Sequence, residues 1–210
     1  MTDKKCKVCR RAGEKLFLKG DRCFTPKCGF TTHPYPPGRL DSERKHKSTL
    51  SEYGEQMKEK QKVRNIYMIS EKQFANYVQS ATKKTINHTI SPALQLYQSL
   101  EERLDNIIYR LGLAKSRALS RQIVSHGHIT INGRKINVPS YKVRINDVIA
   151  VREGSKSTKL FTDLVNKLKQ HTMPNWLEFD TAKISAKILS TPSEIKDTFD
   201  LAKVLEFYSK

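Results

Sequence analysis

Four cysteines, Cys6, Cys9, Cys23 and Cys28, fall within the first 28 of 210 residues, and no cysteine follows. Their spacing is C-x2-C-x13-C-x4-C. Met1-Thr2-Asp3-Lys4-Lys5 has no apolar run behind it, so neither a secretory signal nor a transit peptide is expected. A reducing cytosol disfavours disulfides and leaves metal binding or redox chemistry for these thiols. A redox C-x-x-C would open a helix after a strand. Two pairs instead supply four thiolates, which fill the tetrahedral shell of one Zn(2+) and leave no open position. The expected ion is therefore structural rather than catalytic. Unliganded cysteines and an iron–sulfur cluster are the alternatives. A zinc knuckle would also let a segment too short for a core fold at all. His33 could replace one ligand, but Cys28 already closes the shell.

Around the thiols lie Lys4, Lys5, Lys7, Arg10, Arg11, Lys15, Lys19, Arg22 and Lys27, which read as a rigid basic knob aimed at phosphates. The excess runs through the chain: 39 Lys plus Arg oppose 21 Asp plus Glu, a net charge of +18. Such a charge repels itself unless a polyanion neutralises it, and nucleic acid is favoured over an acidic membrane surface. With 29% charged and 37% apolar residues, the composition excludes an integral membrane protein. Residues 1–50 hold 13 basic against 5 acidic side chains, whereas residues 151–210 hold 10 against 8. The last segment thus reads as scaffold rather than contact surface.

These groups must be positioned by elements. Pro34, Pro36 and Pro37 predict an extended path over 31–38. Arg39, Arg44, Lys45, His46 and Lys47 follow without apolar periodicity, a stretch expected to order on an anion. A mostly polar helix is predicted over 51–64, with Tyr53, Met57 and Val63 as a narrow stripe. A second starts at Ser70 and buries Phe74, Tyr77, Val78 and Ala81. A third runs from Ser91 through Leu111 and stops at Gly112. A short helix follows between the N-cap Ser116 and Gly127. Ala118, Leu119 and Ile123 face inward, and Arg117 and Arg121 face outward with Ser120 and Ser125. Lys115 sits at its N-terminus, where an anion is favoured. Strands are predicted at 128–131 and 134–138 around the Asn132-Gly133 turn, then at 141–144 and 148–151.

Arg103-Leu104-Asp105-Asn106, Tyr109-Arg110-Leu111-Gly112, Ser116-Arg117, Arg121-Gln122, His126-Gly127-His128-Ile129, Asn132-Gly133, Pro139-Ser140-Tyr141 and Asp147 resemble the small RNA-binding module called the S-four domain, or alpha-L motif. The four-cysteine segment, Tyr35-Pro36-Pro37-Gly38, Lys60-Gln61-Lys62-Val63-Arg64, Ile69-Ser70-Glu71 and Glu206-Phe207-Tyr208-Ser209 extend the likeness. Together they resemble the bacterial-type small-subunit ribosomal protein family from which the module takes its name, over nearly the whole chain and in the same order. The resemblance implies an α+β protein: an all-α domain, residues 45–100 plus 175–210, with the RNA-binding domain of helices and a small antiparallel sheet inserted at 101–174. Residues 1–44 would form the zinc knuckle and basic linker.

The resemblance further implies a non-enzymatic, cytoplasmic ribosomal protein, bound early in assembly to a helical junction in the 5′ domain of 16S-type rRNA. It would line the channel through which mRNA enters, beside the third and fifth small-subunit proteins, and influence decoding accuracy with the fifth. The implied RNA-binding set is Lys7, Arg10, Arg11, Arg22, Lys27, Arg44, Lys45, Lys47, Lys60, Lys62, Arg64, Lys115, Ser116, Arg117, Arg121, His126, His128 and Arg134. A junction binder must read shape, phosphates and 2′-hydroxyls, because an RNA duplex hides its base edges. The sequence departs from the family pattern at Gly38-Arg39-Leu40-Asp41, where many members have Gly-x-His-Gly. Met68 stands where a glycine is common, and Ser190 and Glu194 occupy positions often basic. The competing reading is an RNA-modifying or regulatory protein that uses the same module. An enzyme would need a catalytic domain, and the residues after 155 show no nucleophile constellation. His46, His88 and His171 are isolated, read as surface residues or phosphate contacts.

Overall fold

The computed structural model describes residues 4–38, 49–85, 90–158, 161, 172–180, 184–195 and 198–209. Arg39, Arg44, Lys45, His46, Lys47, His88 and His171 lie outside the described residues. In chain order the helices are α1 (Lys4–Ala12), a 3-10 turn (Gly20–Phe24), α2 (Gly29–Thr32), α3 (Glu52–Tyr67), α4 (Glu71–Thr85), α5 (Pro92–Glu101), α6 (Leu104–Arg110), α7 (Arg117–Ser125), α8 (Glu153–Lys156) and α9 (Leu201–Ser209). The strands are β1 (Ile129–Ile131), β2 (Arg134–Ile136), β3 (Val148–Val151), β4 (Leu177–Asp180) and β5 (Ser185–Ile188). No helix of the described residues is long and apolar enough to cross a membrane. The chain forms two compact units, residues 1–88 with 197–210, and residues 89–196.

In the first unit α9 returns to pack on α3 and α4. Val63, Tyr67, Phe74, Val78, Ala81, Phe199, Leu201 and Val204 are buried. The apolar stripe expected on α3 is largely misplaced: Tyr53 and Met57 are 51% and 37% exposed, while Gln56, Lys60 and Lys62 are buried. The reason is polar pairing. Gln56 donates to Glu206 at 3.1 Å, Lys60 to Glu71 at 2.7 Å, and Lys62 to the Thr198 carbonyl at 2.8 Å. Their apolar stems cover the core while their heads meet fixed acceptors.

In the second unit α6 and α7 pack together beside an antiparallel sheet of order β2-β1-β3-β5-β4. Leu104, Ile107, Ile108, Leu111, Ile123, Val124, Ile129, Ile149 and Val151 form its core. The Ser116 hydroxyl caps α7 by accepting from the Leu119 amide, and Gly127 takes the left-handed φ of 71° that ends it.

Three expectations fail here. The helix over 91–111 breaks at Glu102–Arg103, because the backbone there pairs instead with residues 139–143. The Val143 amide donates to the Glu102 carbonyl, and the Leu104 amide to Tyr141. The segment 141–144 is consequently no strand but a single bridge, Arg103 to Lys142. Finally, 177–188 was expected in the helical domain, yet β5 pairs with β3 and β4 with β5. The first unit thus regains only the end of the 175–210 segment, and α5 belongs to the second. Alternation at Leu177-Glu178-Phe179-Asp180 was the local strand signal.

Candidate nucleic-acid interface and cysteine segment

On α1, Lys7 and Arg11 are exposed, as are Lys15, Arg22 and Lys27 on the turns beyond it. Arg10 is not: it is buried, donates from Nε to the Tyr35 carbonyl at 2.8 Å, and stacks 4.6 Å over the Tyr35 ring. It therefore tethers the proline-rich path rather than facing phosphate. Lys60 is held by Glu71 and lies 4.4 Å over the Phe207 ring. Lys62 sits 2.9 Å from Glu14. Both are internal ligands of their own unit, which removes them from the outward-facing set. Arg64 is half-buried and 2.9 Å from Glu71. Burial pushes the Glu71 carboxyl up, but hydrogen bonds from Lys60 and Tyr208 and the Lys60 and Arg64 charges hold it below the ordinary range. Burial, joined by the hydrogen bond to Glu71, pushes the Tyr208 phenol well up.

The second unit sorts its cations the same way. Arg103 is 1% exposed and forks onto Asp105, with Nε to Oδ1 at 3.0 Å and Nη2 to Oδ2 at 2.7 Å. Arg110 forks onto buried Glu101 through two bonds of 2.8 Å. These two arginines build the fold. Arg117 is half-buried, bonded to Asn106 at 2.8 Å and 4.5 Å over the Tyr109 ring, so its guanidinium plane is fixed in orientation. Arg121 is 43% exposed at its side chain and 3.7 Å from Asp105, too far for a hydrogen bond. Its Nη1 is buried without a hydrogen-bond partner. Ser120, expected outward, is buried and donates to the Asp105 carbonyl. Ser116 is also buried and spends its hydroxyl on the helix cap.

Lys115 is exposed at the start of α7, and His126 is exposed at its end. His128 is half-buried and shares a hydrogen bond with Ser155 at 2.9 Å. Arg134 and Lys135 are exposed on β2, the edge strand of the sheet. Lys135 is a cation the sequence pattern does not single out. Its stem lies over Gly127, where an added Cβ would clash with the Lys135 Cε. No acidic side chain occupies α7 or β2. The end of α7 and the hairpin edge, which meet where Lys135 lies over Gly127, present His126, Arg134 and Lys135 from elements without acidic side chains, a surface suited to phosphate oxygens.

The cysteines converge from three pieces of backbone. Cys6 and Cys9 lie on α1, Cys23 lies on the 3-10 turn, and Cys28 precedes α2 as its N-cap. Cys9, Cys23 and Cys28 are buried, and none of the four is in a disulfide. Gly29 lets Cys6 approach: a Cβ there would stand 3.1 Å from the Cys6 Sγ. Burial pushes the Cys9 thiol up, countered in part by the Leu16 amide, while the other three cysteines add to the rise. Burial also works against the Cys28 thiolate, but the Phe30 and Thr31 amides, the Thr31 side chain and Lys15 outweigh it and hold the thiol below its usual value. Among the described residues, no group of three or more His, Cys, Asp or Glu stands arranged to hold a metal. The donor set nevertheless fits zinc by its chemistry: four reduced thiols, Cys9 within electrostatic reach of the other three, with amides donating to the Cys9 and Cys28 sulfurs.

Two family models match the chain in tandem. One, described as "Ribosomal protein S4/S9 N-terminal domain", covers residues 1–101, and one described as "S4 domain" covers 102–149. The protein named small ribosomal subunit protein uS4 of Caldicellulosiruptor bescii is 46% identical over 208 residues, 98% of this chain and 96% of that protein. Its namesake in Syntrophomonas wolfei is 45% identical over 211 residues, covering 100% and 98%. That of Clostridium tetani is 44% identical over the same span.

Proposed function

Because the chain belongs to the uS4 family of small ribosomal subunit proteins, we propose that it is a structural constituent of that subunit and binds 16S-type rRNA. The observation that carries this reading is the end-to-end match to relatives of that name, 96–98% of whose length is covered. The geometry supports the RNA surface independently. Lys115, His126, Arg134 and Lys135 are exposed and Arg121 partly so on the second unit, and Lys7, Arg11, Arg22 and Lys27 are exposed on the cysteine segment. Arg117 is braced by Asn106 and Tyr109, so its guanidinium plane is already fixed in orientation beside that surface. The finer reading follows the family. It has the protein sit at a junction of the rRNA 5′ domain, line the channel where mRNA enters, and contact the third and fifth small-subunit proteins. The purified chain should co-sediment with small subunits at moderate salt. Recovery in the soluble fraction would overturn the reading.

The same proposal includes one structural zinc ion held by Cys6, Cys9, Cys23 and Cys28. The ion would supply four bonds in place of the core this segment lacks. We expect Cys9→Ser or Cys23→Ser to abolish zinc and unfold 1–30 while sparing the rest of the chain. The test is metal stoichiometry alongside the far-ultraviolet circular dichroism spectrum. Undiminished zinc in either variant would exclude the closed four-thiolate site.

A further inference from the structure

The cysteine segment displays an aromatic pair that neither the core nor the thiols use. Phe24 is 75% exposed and Phe17 41% exposed, and their rings stack with centroids 5.0 Å apart and planes 27° apart. Folding could have hidden one of them. Leu16, next to Phe17, is buried, and the chain turns at Phe17 through a left-handed φ of 51°. That conformation opposes a bulky side chain, so the fold spends strain to place this ring outward against Phe24. The setting is cationic: Lys15, Arg22 and Lys27 are exposed on the same turns, with Asp21 as the acidic residue of the 3-10 turn. An open ring face flanked by cations is the arrangement on which bases of unpaired nucleic acid stack, the ring taking the base and the cations its phosphates. A protein partner would be matched by an apolar patch with few charges at its centre, which this surface is not.

The geometry points to the Phe17–Phe24 pair as a stacking platform for one unpaired nucleobase of the bound RNA. This rests on the RNA-binding reading above and adds a base contact to the phosphate contacts given there. Stacking is nearly independent of salt, whereas each lost phosphate contact lowers the log–log salt slope by about 0.7 to 0.9. The test is filter binding of the full zinc-supplied chain to a transcript of the small-subunit rRNA 5′ domain across a potassium chloride series. Phe24→Leu keeps the apolar bulk without the ring, and Phe24→Tyr keeps the ring. We expect Phe24→Leu to bind roughly five- to a hundred-fold more weakly with an unchanged slope, and Phe24→Tyr to bind as the wild type does. Equal affinity of Phe24→Leu and wild type would overturn the platform and leave the RNA-binding reading standing. So would a reduced slope, or a loss in Phe24→Tyr as large as that in Phe24→Leu. Normal RNA affinity of Phe24→Leu with defective incorporation into reconstituted subunits would assign the pair to a protein neighbour instead. Failure of the wild-type chain to bind the transcript would overturn the broader reading along with it.

Discussion

Glu71 shows how single side chains decide which cations reach solvent. Its carboxylate takes Lys60, Arg64 and the Tyr208 hydroxyl, so two lysine or arginine charges of the expected RNA-binding set are consumed inside the protein. The folded carboxyl lies below its ordinary value, so the group stabilises the fold above the usual glutamate range, about pH 4. That contribution is lost as pH falls through the lowered folded value. Urea unfolding should therefore show wild type clearly more stable than Glu71→Gln near about pH 7, and the gap should close toward about pH 3. A gap independent of pH would assign the effect to packing. Arg10, Lys60 and Lys62 could not be told from Lys7 or Arg11 by type or spacing. Tertiary partners alone made them internal, because a buried cation persists only where acceptors are fixed around it.

At the scale of elements, the ends of helices were legible and their interruptions were not. Ser51, Ser91 and Ser116 each accept from the amide three residues on, as a capping serine does. Gly127 ends α7 for a local reason too. The break between α5 and α6 has no proline or glycine to announce it. It is held by long-range backbone pairing and by the buried Arg103–Asp105 fork. Met68 adds an element-scale prediction. It caps α3 at φ 55° and ψ 42°, a left-handed site where the family commonly places glycine. Met68→Gly relieves roughly 1 to 2 kcal/mol of steric cost, offset by roughly 0.5 to 1 kcal/mol of added unfolded-chain entropy. The variant should be more stable by up to about 1.5 kcal/mol in denaturant titration. A destabilised Met68→Gly would show that the Met68 side chain contributes more packing than its backbone costs.

For the whole molecule, the net charge of +18 divides into cations that hold the fold and cations that face solvent. The division predicts two kinds of variant. Arg134→Ala and Lys115→Ala should each lower the salt slope of RNA binding by about 0.7 to 0.9, with little change in unfolding midpoint, whereas Arg121→Ala, which also removes a charge beside the buried Asp105, should lower both. Lys60→Ala and Lys62→Ala should lower the midpoint and leave the slope of the remaining folded protein unchanged. The reverse pattern would show that the burial of Lys60 and Lys62 does not describe the RNA-bound protein. The amino-acid sequence by itself determined the class of partner, the cysteine quartet, the family and the capped helix starts. These depend on composition, spacing and contacts within one turn of chain. Only the tertiary structure decided that 177–180 and 185–188 complete a five-stranded sheet, that α5 ends at Glu101, and which arginines and lysines remain outside. Strand pairing and charge burial are set by neighbours distant in sequence, and local alternation does not say which neighbour a segment will meet.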